Sequence, residues 1–168
     1  MKNYWKIGLF AFVAVVMVAC NDDDYESQYT EENEQQLLTE LLDNLIENGR
    51  DIDTTKLGVY YMVDQLGEGP LVQAGDSIGI NYNGYFVTGS LFDSSSFYGD
   101  GTYRYVYKSV DMITGFDDAV GTLQEGGVGT FIIPSGLAYG VYGYSSIPPY
   151  STLVFEIELV AIYPPEVE

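Results

Sequence analysis

The chain has 168 residues, with 25 Asp+Glu against 6 Lys+Arg and no His, for a formal net charge of −19. That balance argues against nucleic-acid binding, which needs a basic footprint on phosphate, and against electrostatic docking on an anionic lipid surface. With no His and a single Cys, His-based acid–base catalysis, Ser-His-Asp and Cys-His nucleophiles, ordinary zinc sites and an internal disulfide are excluded. A hydrophobic content of 46% with 15% aromatics suffices for a globular core.

Lys2 and Lys6 precede an apolar run over residues 7–18, shorter than the roughly 18 residues a spanning helix needs. The pattern predicts a signal peptide over 1–19. Its end, Met17-Val18-Ala19-Cys20, resembles a bacterial lipobox, with Met17 in place of the more common Leu. The resemblance implies lipidation of Cys20 and membrane attachment through that anchor; ordinary secretion with a stray Cys is the alternative. Residues 20–30 follow as an acidic tether containing Asp22-Asp23-Asp24. A solvated linker explains the run. It is also similar to runs that send lipoproteins to the outer face in some Gram-negative lineages. The expected location is therefore the cell envelope, on the outer membrane, with exposure at the surface.

Residues 31–56 read as a helical spacer. Thr30 followed by Glu31, Glu32 and Glu34 has the form of a helix start with acids in the first turn. Leu37, Leu38, Leu41, Leu42, Leu45 and Ile46 make one apolar stripe, and Asn48-Gly49 stops it. The stripe is expected to dock on the domain that follows. Asp51-Ile52-Asp53-Thr54 is similar to the start of a calcium loop, but Met62 stands where the twelfth-position Glu belongs, so it reads as turn chemistry.

The segment 57–168 holds all but two of the 19 Gly. Alternating or short apolar blocks predict strands over 58–63, 78–87, 102–107, 129–133 and 153–162. Phe116, Ala119, Val120 and Leu123 fall at helical spacing and predict one short helix. The fold class is α+β, an antiparallel sheet wrapped on a single helix.

Six blocks then occur in order: Ile80-Asn81-Tyr82-Asn83-Gly84-Tyr85, Leu91-Phe92-Asp93-Ser94-Ser95, Asp111-Met112-Ile113-Thr114-Gly115-Phe116, Ile133-Pro134-Ser135-Gly136-Leu137-Ala138-Tyr139-Gly140, Ile147-Pro148-Pro149 and Leu153-Val154-Phe155-Glu156-Ile157-Glu158-Leu159. Together they resemble the FKBP-type peptidyl-prolyl cis-trans isomerase domain. The resemblance implies a strongly bent sheet around one short helix, proline-containing polypeptides as substrates, and macrolide inhibitors as possible ligands. It makes Tyr82 and Phe92 one wall of a pocket, Asp93 its carboxylate, Phe116 its floor and Phe155 part of its rim. Tyr139 offers a hydroxyl, and the Ile113 backbone N–H donates to a substrate carbonyl. Tyr103, Met112 and Ile147 complete the substrate-binding surface. Phe116 stands where the family often has Trp. The stretch 96–101 lacks the family's usual Arg, for which Arg104 is the candidate replacement as partner of Asp93.

An X–Pro bond isomerises over a barrier of about 18–20 kcal/mol set by amide resonance. A dry aromatic pocket favours the less polar twisted amide, so such a site needs no nucleophile, metal or organic cofactor. Taken singly, Phe92, Ile113, Phe116 and Phe155 fit core positions, Tyr82 and Tyr139 edge aromatics, and Asp93 a turn. The set in family order favours a pocket. The competing reading is a non-catalytic binding module that uses Tyr98, Tyr142, Tyr144 and Tyr150 to hold a partner.

Overall fold

A computed structural model describes residues 28–109 and 112–163. Its elements run α1 (Glu31–Glu47), β1 (Asp53–Thr54), β2 (Tyr60–Gln65), β3 (Glu68–Leu71), β4 (Ser77–Phe86), β5 (Leu91–Ser94), β6 (Tyr103–Val106), α2 (Thr114–Val120), β7 (Gln124–Glu125), β8 (Val128–Ile133) and β9 (Leu153–Tyr163). Three short 3₁₀ turns lie at Ser95–Phe97, Ser135–Leu137 and Gly140–Tyr142.

The main sheet is antiparallel in the order β1-β2-β8-β9-β4-β5. Strand β4 is long enough to pair along one edge with β9 and along the other with two strands in succession. Its first half, Ser77 to Ile80, meets β6, and Asn83 to Tyr85 meet β5. Register shifts at Gly79/Ile80, Gly84/Tyr85 and Val63/Gln65 mark bulges, and a bulge bends its strand. Strands β3 and β7 form a separate two-stranded sheet.

Alternation in β9 assigns its faces. Leu153, Phe155, Ile157 and Leu159 are buried, while Val154, Glu156 and Glu158 between them are only partly so. The buried face closes on α2, whose Phe116, Ala119 and Val120 join Ile78, Ile80, Phe131 and Ile133 in one core. Gly115 is required at that contact, because a Cβ there would collide with Ile133. The fold is thus the α+β arrangement expected, with α2 at Thr114–Val120 and a turn over 121–123 where the periodicity suggested more helix.

Strand β8 is buried at every position, which alternation alone does not explain. The cause is α1. Leu38, Leu41, Leu42 and Leu45 lie over Met62, Ile132 and Val154 on the sheet's outer face. Thr30 caps the helix by accepting from the Asn33 N–H at 3.2 Å. Leu37 and Ile46, at the edges of the stripe, stay exposed. Residues 53–54 are a short strand pairing with Tyr60 and Tyr61 rather than a free turn. Among the described residues, no helix is long and apolar enough to cross a membrane.

Candidate active site

The side of the sheet that packs on α2 collects the aromatic residues singled out in the sequence. Tyr82, in mid-β4, presents its ring edge-on to three others: Phe116 at 5.8 Å, Tyr103 at 6.2 Å and Phe155 at 6.2 Å between centroids. Phe155 in turn meets Phe116 at 5.1 Å and Phe92 at 5.6 Å, both near-perpendicular. Edge-to-face packing aligns positive ring edges with negative faces, so this cluster fixes each ring against its neighbours. Gly84 makes the crowding feasible. A Cβ there would lie 2.7 Å from Phe92 and 2.8 Å from Phe155.

Phe116, Phe155 and Ile147 are buried members of the hydrophobic core, while Tyr82, Phe92, Tyr103, Met112, Ile113 and Tyr139 pack against that core partly exposed. Of these residues the half-buried set is the part that solvent reaches. Ile113 is the N-cap of α2, with extended backbone and its carbonyl accepting from the Phe116 N–H at 2.9 Å. An N-cap N–H has no intrahelical acceptor.

Asp93, at the centre of β5, turns toward Tyr82. The Tyr82 hydroxyl donates to its Oδ2 at 2.8 Å, and the Ser94 N–H donates to its Oδ1 at 2.8 Å. The Tyr98 hydroxyl also reaches Oδ1, at 3.3 Å. Burial, then the bond to Asp93, pushes the Tyr82 hydroxyl far above its ordinary pKa. It is therefore a donor held neutral over the physiological range. Ser94 and Ser95 knit this strand end to β4. Ser94 donates to the Asn83 side-chain oxygen at 2.8 Å, and Ser95 Oγ accepts from the Tyr82 N–H at 3.0 Å.

Arg104 does not replace the missing Arg beside Asp93. Its guanidinium takes Asp100 in a two-pronged contact at 3.0 and 2.9 Å. Those bonds lower the Asp100 carboxyl to about 2. That partner lies only four residues away in the chain. The cationic partner expected for Asp93 is thus supplanted by two tyrosine hydroxyls. From the sequence Tyr98 reads as a surface tyrosine, and nothing in its spacing distinguishes this contact.

Tyr139 stacks on Tyr144 at 5.2 Å with planes 14° apart. Tyr144 also bridges to Ile147, with backbone bonds of 2.8 Å in both directions. The loop between β8 and β9 therefore carries Tyr139 and Ile147 as one folded unit. Burial raises the Tyr139 hydroxyl as well, with the Tyr144 ring and Asp93 adding to it. Among the described residues no cluster of three His, Cys, Asp or Glu could hold a metal ion. Cys20 lies outside the described residues.

The profile of the FKBP-type peptidyl-prolyl cis-trans isomerase family matches residues 69–160, and the chain belongs to that family. Over 113 residues it is 33% identical to the FKBP-type isomerase FkpA of Escherichia coli, which takes in 67% of this chain and 41% of that protein. It is 38% identical over 127 residues to a probable FkpA of Neisseria meningitidis, covering 75% of this chain and 45% of the relative. The chain thus spans just under half the length of these curated relatives. The crystal structure of Escherichia coli FkpA superposes with a TM-score of 0.67 at 27% identity, over 83% of this chain and 64% of that one. A peptidyl-prolyl isomerase from Pseudomonas syringae gives 0.66 at 26% identity, over 86% and 99%.

Proposed function

We propose that this protein is a peptidyl-prolyl cis-trans isomerase that accelerates X–Pro isomerisation in exported or surface polypeptides. The carrying observation is the Tyr82–Phe92–Phe116–Phe155 ring cluster with the Asp93 carboxylate tied to its edge through Tyr82. The apolar rings receive the proline ring and exclude water. The X–Pro amide, stripped of solvent, loses part of the dipole stabilisation that keeps it planar. The Ile113 N–H orients a neighbouring substrate carbonyl, and the Tyr139 hydroxyl supplies a second donor. No bond to proline is made or broken, so no proton is transferred.

The same reading places the enzyme in the cell envelope, held on the outer membrane through lipid on Cys20, with residues 20–30 as tether and 57–168 as the isomerase domain. The lipobox-like Met17-Val18-Ala19-Cys20 supports this. Macrolides, which fill a pocket of this chemistry, are proposed inhibitors.

A second reading, a binding module without turnover, is favoured by one feature. Tyr98, Tyr142 and Tyr144 are all exposed, Tyr142 at 90%, a surface suited to holding a partner. A proline-peptide isomerisation assay separates the two readings.

A further inference from the structure

Glu34 is a buried carboxylate in the first turn of α1, 8% exposed, and it faces the neck of the loop between β8 and β9. It accepts three hydrogen bonds from that neck. On one side the Ser135 N–H donates to Oε1 at 2.6 Å and the Ser135 hydroxyl to Oε2 at 2.5 Å. On the other side the Thr152 hydroxyl donates to Oε1 at 2.7 Å. Ser135 follows the end of β8, and Thr152 immediately precedes β9. One side chain therefore closes both ends of the segment that carries Tyr139 and Ile147. Ser135 and Thr152 are themselves buried.

The chemistry makes this contact demanding. A buried carboxylate is costly unless its oxygens are satisfied, and here only neutral donors satisfy them. The start of a helix favours its negative charge. Conversely, without Glu34 the Ser135 N–H and both hydroxyls lose their acceptor in a buried place. Backbone bonds carry the restraint up the loop. The Ala138 N–H donates to the Ser135 carbonyl at 2.8 Å, next to Tyr139, and the Tyr150 N–H donates to the Gly140 carbonyl at 3.0 Å.

We propose that Glu34 is a positioning residue: by clipping Ser135 to Thr152, it sets the place of Tyr139 at the site and makes α1 part of the substrate-binding apparatus. This rests on the isomerase reading for its effect on turnover. The clip itself does not.

The test uses the full chain with Glu34→Ala, Glu34→Gln and, as a control, Leu45→Ala, which loosens α1 without touching the clip. Isomerisation kcat/KM is expected to fall about tenfold in Glu34→Ala, mainly through KM, since displaced site groups weaken productive binding. Glu34→Gln, which keeps an acceptor oxygen, recovers most of it. Leu45→Ala lowers the melting temperature yet stays within about twofold of the parent activity. Amide exchange at Leu137, Ala138 and Tyr150 should rise at least tenfold in Glu34→Ala while the amides of β4 and β9 stay unchanged. Parent-like activity in Glu34→Ala, an equal loss in Leu45→Ala, or exchange rising uniformly across the sheet overturns the proposal. If the parent chain fails to isomerise proline peptides, the isomerase reading falls, and the exchange pattern alone decides the clip.

Discussion

The hydroxyl of Tyr82 donates to the carboxylate of Asp93 across the β4–β5 pair at 2.8 Å. This bond ties the one carboxylate of the site to the ring that touches Phe116, Tyr103 and Phe155. Aromatic geometry and charge placement are therefore not independent here. The same ring that packs edge-on against three others also holds the carboxylate.

Tyr82→Phe tests that dependence. It keeps the ring and removes the donor, so the fold should persist with a loss of about 1 kcal/mol. The specificity constant for a proline peptide should drop several-fold. Tyr98→Phe removes only the longer, exposed bond to Asp93 and should stay within about twofold. Arg104→Ala, which breaks a contact with Asp100 rather than Asp93, should also leave turnover intact. Steady-state kinetics on the three variants would expose an error if Arg104→Ala were the most damaging.

Alkaline pH should unfold this protein through its tyrosines. Burial pushes the hydroxyls of Tyr82 and Tyr105 far above 10, and pushes Tyr107 up to about 12. Tyr105 donates to Asp117 Oδ1 at 3.3 Å and Tyr107 to the Asp117 carbonyl at 2.9 Å. In the unfolded chain a tyrosine loses its proton near pH 10. The folded pKa is the higher one, so the stabilisation is complete below pH 10 and is lost as pH rises toward 12. A series of melting curves from pH 8 to 12 should show Tm holding, then falling steeply above 10. Tyr105→Phe should flatten that fall; an unchanged slope would show that these hydroxyls are not responsible.

The segment 57–168 should fold alone but less stably. It contains the whole of the core built on α2. Without α1, however, Met62, Ile132 and Val154 lose their apolar cover, a cost of about 2–4 kcal/mol. Thermal unfolding of residues 57–168 should remain cooperative at a lower midpoint. A non-cooperative transition would make α1 integral to the core.

Anchoring is checked on the intact chain in a bacterial envelope. Mature protein should fractionate with membranes and carry lipid on Cys20, and Cys20→Ala should release it. Fractionation that ignores the substitution would remove the anchor from the account.

Much of the architecture was legible because the pleat writes itself into the sequence. Leu153, Phe155, Ile157 and Leu159 alternate with Val154, Glu156 and Glu158, and the structure puts the first set inside. The nine aromatic and aliphatic residues assigned to the site lie in or against one core, and Asp93 joins them through the Tyr82 hydroxyl. Strand β3 offers no strand pattern, because Gly69 and Pro70 interrupt it and all four of its residues are exposed. Strand β5 is short and half-exposed, so it offers no periodicity. The partner of Asp93 could not be read because tyrosine hydroxyls reach it from β4 and from a loop, contacts with no sequence spacing. Glu34 carried a faint signal. It stands on the face of α1 shared by Leu38, Leu41 and Leu45, so a carboxylate there was bound to meet the domain rather than solvent.

The measurement that bears most directly on the central claim is the rate of cis–trans isomerisation of a proline peptide, with and without the protein, from pH 6 to 8. The parent chain should accelerate it with a nearly flat profile, because the chain has no His and the reaction moves no proton. Asp93→Leu should lower kcat/KM by about tenfold or more while its circular dichroism matches the parent. No acceleration by the parent chain, full activity in Asp93→Leu, or a sharp bell centred near pH 7 would contradict the account and leave the aromatic cluster as a binding surface without turnover.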